Sequence, residues 1–238
     1  MAEVDNNRIL QAARNTEVLR PPRQTLSTFG TTRISYYLVT EPIYPEVVET
    51  SLTETVIREG NVLAERPKIV TPHYLSHLEG FSSVAGKYFQ MMVNEYGPDA
   101  PGIFYAYKND PTDLNIVSED WQSVARKLID DIDRRGDPLV SVIKGQDDLW
   151  DISIMKFIFE MTRRSMGNNI SQFSSRGLLK VDSSGVPREA RNRIEELFWQ
   201  VSRGERDPNE LKLELDRWGV FDEYEDRFLA LFRKNKIF

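Results

Sequence analysis

A chain of 238 residues with 40% hydrophobic and 29% charged side chains has enough apolar surface for a packed core, which excludes global disorder. Its richest apolar stretch, Leu149 to Met161, is broken by Asp151, Lys156 and Glu160, well short of the ~20 residues that cross a bilayer. The net charge of −6 lies wholly in residues 207–226, where eight acids face Lys212 and Arg217. The rest of the chain therefore sums to zero, and a long phosphate-gripping surface is not expected.

The opening residues are acidic and lack the basic start and apolar centre of a signal peptide. With no cysteine present, a cytoplasmic protein without membrane attachment is expected. An amphipathic helix with Asp5 as its cap is predicted from Asn6 to Leu19, stopped by Pro21-Pro22. Arg8, Arg14, Arg20, Arg23 and Arg33 make this the most basic part of the chain. They offer the one nucleic-acid reading available, an accessory factor. Arg33 to Thr40 reads as a strand. The runs Thr53–Glu59 and Val62–Arg66 read as a hairpin about a Gly60-Asn61 turn, and Pro67 ends the second strand or marks it as an edge.

Thr71-Pro72 is a helix start. The helix to about Glu79 carries the only two histidines, His73 and His77. Residues four apart share a helix face and can share a metal ion, so these two are the candidate ligands for a divalent transition metal in a metal-dependent hydrolase. Position 74 is tyrosine rather than a glutamate base, and a third ligand must come from elsewhere, with Glu65 or Asp99 as candidates. A second helix is expected from Ser83 to Tyr96, ended by Gly97-Pro98. Ile103–Lys108 and Leu114–Val117 read as strands around an Asn109-Asp110-Pro111 loop. Alternation sets Tyr105 and Tyr107 on one side of the first strand, where with Lys108 they form a candidate ligand site.

A helix from Asp120 to Arg134, capped by Ser118, is followed by Leu139–Ile143, too short an apolar run to type. From Asp147 to Ser174 the pattern is helical and in its first half apolar almost all round, which predicts cover on most sides. Three further helices begin at Pro187, at Asp207-Pro208 with a capping-box pattern, and at Phe221. The fold class expected is α+β: a mixed region with a small, largely antiparallel sheet in 1–145, then an all-helical region in 146–238, as two domains or one.

No phosphate-binding glycine loop and no Gly-x-Ser-x-Gly elbow occurs. Trp218, Phe221, Tyr224, Phe228, Phe232 and Phe238 mix with the acids of the C-terminal segment. That composition suits docking on a partner, with Trp218, Tyr224 and Phe228 as the contact residues. The leading expectation is a non-enzymatic interaction or regulatory protein that needs no cofactor and binds another protein or a second copy of itself.

Overall fold

The computed structural model describes residues 6–43, 53–71, 73, 74, 94, 95, 97 and 102–234. In chain order the elements are α1 (Asn6–Asn15), β1 (Glu17–Arg20), β2 (Thr32–Thr40), β3 (Thr55–Ala64), β4 (Lys68–Val70), β5 (Gly102–Phe104), β6 (Tyr107–Val117), α2 (Trp121–Arg135), β7 (Val140–Lys144), α3 (Trp150–Ser175), α4 (Arg188–Ser202), α5 (Pro208–Trp218) and α6 (Phe221–Lys234). They form two compact units: a sheet unit, Met1–Arg66 with Tyr105–Asn169, and a helical unit, Pro67–Phe104 with Ile170–Phe238. Both units are discontinuous in sequence, so the regions 1–145 and 146–238 each send segments into both.

The α+β class holds. The sheet unit has five strands in the order β1-β7-β2-β3-β6. The β2–β7 pairing is parallel and the other three are antiparallel, so the sheet is mixed. Alternation along β2 sends Ile34, Tyr36 and Leu38 to one face and Tyr37 and Val39 to the other. On the first face α3 lays down Ile154, Phe157, Ile158 and Met161. On the second α2 lays down Val124, Ala125 and Ile132, its start capped by Asp120, which accepts from Ser123 N, rather than by Ser118. Each such buried aliphatic or aromatic side chain contributes about 1.5–3 kcal/mol.

Several sequence expectations are corrected. The first helix stops at Asn15, because Glu17–Arg20 leaves it to pair with β7. Gly60-Asn61 is no turn: both lie inside β3, which pairs with β2 on one side and β6 on the other. The glycine is there because Tyr36 crosses it. A Cβ at position 60 would overlap the Tyr36 ring, whose hydroxyl reaches Asn109 Oδ1 on β6 at 3.1 Å. Asn109-Asp110-Pro111 is likewise strand rather than loop; proline is tolerated because β6 is an edge strand, and a bulge relieves the register beside it. After β7 the named elements are all helices, joined by one isolated bridge, Val181 to Pro187. They do not stand apart as a half of their own, since α3 covers the sheet. Nor is α3 covered all round: Phe159 is 65% exposed, with Met155 and Met166 also open.

In the helical unit, α4, α5 and α6 close on β4 through one cluster holding Val70, Tyr74, Ile194, Phe198, Leu211, Leu215, Trp218 and Phe228. Asp207 caps α5 by accepting from Asn209 N, and Gly219, at φ 65°, ends it in the left-handed conformation. Among the described residues no helix is long and apolar enough to cross a membrane.

Candidate functional site

The C-terminal helices spend most of their aromatics internally. Trp218 is 2% exposed and Phe228 is buried beside it in the same cluster. Tyr224 is half-buried, its ring stacked on Phe198 at 5.5 Å and its hydroxyl accepting from Arg191 Nη1 at 3.3 Å. Two of the three residues expected to meet a partner are therefore core, and the third is engaged by its own unit. Phe238 lies outside the described residues.

The surface that remains is made by other side chains. A hollow of about 350 Å³ opens between α4, the start of α5 and the last turns of α6, lined by Phe198, Trp199, Val201, Pro208, Leu231 and Phe232 among others. Trp199 is 55% exposed at its mouth, and Phe232 and Leu229 are also exposed. Two cations beside it are neutralised: Arg227 lies 4.1 Å over the Phe198 ring and donates to Glu195 at 2.7 Å, and Arg203 lies 4.6 Å over the Trp199 ring and donates to Glu205 at 2.7 Å. Asp222, Glu225 and Asp226, on the exposed side of α6, form no ion pair among the described residues. Sequence reasoning passed over Trp199, although a signal was present. The buried stripe of α4 runs through Ile194, Phe198 and Val201, and a tryptophan off that stripe is a large apolar group with no internal use.

His73 is half-buried in the helical unit; a Cβ on Gly219 would lie 3.4 Å from its Nε2, so the imidazole rests against the end of α5. His77 and Asp99 lie outside the described residues, among which no three of His, Asp or Glu gather as a metal site. The neighbour of His73 is more informative. Tyr74 donates to Glu214 Oε2 at 3.0 Å, Trp218 Nε1 donates to Glu214 Oε1 at 3.3 Å, and Arg193 Nε lies 3.8 Å from that oxygen. Burial pushes the Tyr74 hydroxyl up to about 12, and the Glu214 carboxylate adds to the rise. Glu214 is thus a buried carboxylate held by two hydrogen bonds and one longer ion-pair contact, and it ties α5 to Tyr74 and to Arg193 of α4.

In the sheet unit, Tyr105 and Tyr107 do share a side, their rings stacked at 6.3 Å. Both hydroxyls are taken up by α3. Thr162 gives its proton to Ile158 O, so Tyr107 donates to Thr162 Oγ1 at 2.5 Å; Asn169 Nδ2 donates to Tyr105 at 3.0 Å while its Oδ1 accepts from Thr28. Burial raises both phenols above their ordinary value. Lys108 is exposed. Of the N-terminal arginines, Arg20 is buried, donating twice to Asp133 Oδ1 and also to the Val140 and Asp137 carbonyls. Arg23 pairs with the same Asp133 and Arg8 with Asp148.

Family models, curated proteins and solved structures contain no match to this chain.

Proposed function

We propose that the protein is a non-enzymatic association module whose C-terminal helices hold a basic amphipathic segment of a partner protein. The observation that carries this reading is the apolar hollow ringed by exposed Trp199 and Phe232. Aromatic anchors of this kind dominate the energetics of protein recognition. Charge supports the choice of occupant. The chain's whole net charge sits in 207–226, and Asp222, Glu225 and Asp226, which form no ion pair among the described residues, precede Leu229 and Phe232 along one side of α6. An acidic stretch followed by an apolar one is complementary to a helix with lysines and large aliphatic residues. The same reading has the protein act in the cytoplasm, where a cysteine-free chain is at no disadvantage.

The test uses a labelled synthetic amphipathic peptide of leucine and lysine, its affinity followed by fluorescence anisotropy. Trp199→Ala with Phe232→Ala is expected to weaken binding by about tenfold or more, the loss typical of an anchor residue. Removing charge with Asp222→Asn, Glu225→Gln and Asp226→Asn is expected to flatten the salt dependence. Equal binding of a leucine–glutamate peptide, or an affinity indifferent to the aromatic pair, would sink the reading.

A further inference from the structure

We propose that the free edge of β6 is a self-association surface, on which two copies of the chain pair β6 against β6, antiparallel, about a two-fold axis at Asn115. The surface lies in the sheet unit and is independent of the function proposed above. Among the described residues β6 pairs with β3 alone, so its outer backbone groups are open to another strand apart from Leu114 N, which donates to Asp113 Oδ1 at 2.8 Å and exchanges that acceptor for a carbonyl of the second copy on pairing. The first part of that edge is guarded. Lys108, Asp110, Pro111 and the bulge opposite Glu59 and Gly60 are the devices that keep edges from pairing. The six residues Thr112–Val117 carry one charge, Asp113, and expose Leu114 by 51% and Ile116 by 56%.

Leu114 and Ile116 stand symmetrically about Asn115 and, two residues apart on a strand, point to the same face. A two-fold at Asn115 sets Leu114 of each copy opposite Ile116 of the other, giving two directly opposed apolar pairs. A second copy brings this arrangement with no further requirement on its sequence. Charge and polarity select the register. Centred on Asn115, each Asp113 faces Val117; centred on Asp113, the two carboxylates would oppose each other; centred on Leu114, each Ile116 would face Thr112. Size sets the strength. Six residues a side compare with roughly 20–30 a side in stable complexes, so the dimer is weak and depends on concentration.

The absence of cysteine makes single substitutions clean reporters. Residues paired across such an axis have Cα atoms about 4.5–5.5 Å apart, within the range a disulfide spans. Under mild oxidation of the full chain, Asn115→Cys is expected to form covalent dimer about tenfold faster than Arg126→Cys, a collision control exposed on α2, because the paired thiols meet at a raised effective concentration. An equal mixture of Leu114→Cys and Ile116→Cys is expected to yield mainly the mixed dimer. In sedimentation equilibrium, Leu114→Lys should hold the chain monomeric at concentrations where the wild type's average mass rises. With circular dichroism matching the wild type, crosslinking of Asn115→Cys no faster than Arg126→Cys overturns the surface, and fastest crosslinking at Leu114→Cys overturns the register.

Discussion

The two units solve the same problem, fixing polar groups inside a core, with different chemistry. The sheet unit buries neutral groups: Thr16 bonded to Ser153, Ser165 accepting from Leu26 N, Asn169 between Thr28 and Tyr105. Its one buried ion among the described residues, Arg20, is held by a carboxylate and two carbonyls. The helical unit buries carboxylates, Glu189 beneath β4 and Glu214 beneath Tyr74 and Trp218. Hydroxyls and amides keep their state across the working pH range, whereas groups around a buried carboxylate titrate against it. The helical unit is therefore where sensitivity to single polar substitutions should concentrate, and where the largest alkaline response is expected, beside smaller ones from the raised phenols of Tyr36, Tyr105 and Tyr107 in the sheet unit.

The sharpest test of that contrast is a pair of tryptophans in the helical unit. Trp218→Ala removes a core ring and the donor to Glu214 Oε1, and should cost about 3–5 kcal/mol in urea unfolding. Trp199→Ala, at the hollow's mouth, should stay within about 0.5 kcal/mol of the wild type. Similar losses at the two sites would mean that Trp199 is not surface.

The second test is alkaline. The Tyr74 hydroxyl titrates at about 12 in the folded chain and near 10 when unfolded. A pKa raised on folding means that the unfolded state loses its proton first. The stabilisation is complete below about pH 10 and disappears as pH rises toward 12, a loss of about 2–3 kcal/mol. Urea midpoints measured at about pH 9 and about pH 11.5 should show roughly two-thirds of this loss in the wild type, and Tyr74→Phe should remove that component. Equal slopes in the two proteins would separate the unfolding from the Glu214 cluster.

In the sheet unit the corresponding weak point is steric. Gly60→Ala forces a Cβ into the Tyr36 ring and against Asp110 O, at an expected cost of about 1–3 kcal/mol by thermal melt. Tyr36→Leu in the same chain should recover part of it. This glycine also shows where the sequence stops being legible. Gly60-Asn61 has hairpin composition, but the choice between turn and strand was made by Tyr36, which is 24 residues away in the chain and directly opposite Gly60 in the sheet. The parallel β2–β7 pairing joins segments a hundred residues apart and leaves no local trace. The helices were readable because their evidence is local: the stripe of α4, the Asp207-Pro208 start and Gly219 end of α5. The candidate surface was half readable. The acidic charge of the C-terminal helices was plain, but aromatic content alone could not say which rings face inward, and Trp218 and Phe228 proved to be core while Trp199 stayed outside.

The smallest effect concerns a cap. Asp207 Oδ1 accepts from Asn209 N at 2.8 Å, Pro208 follows at the first helical position, and the carboxylate faces the positive end of α5. Asp207→Ala leaves the first-turn amides of α5 without that acceptor and should cost about 1 kcal/mol. Asp207→Asn keeps an acceptor oxygen and loses only the interaction with the helix dipole, so it should fall between the alanine variant and the wild type. The two substitutions separate hydrogen bonding from charge at a helix start packed against the hollow through Pro208. If the alanine variant also weakened the leucine–lysine peptide while the asparagine variant did not, the hollow's shape would depend on the fixed first turn of α5. Unchanged peptide affinity in both would leave the hollow's binding to Trp199 and Phe232.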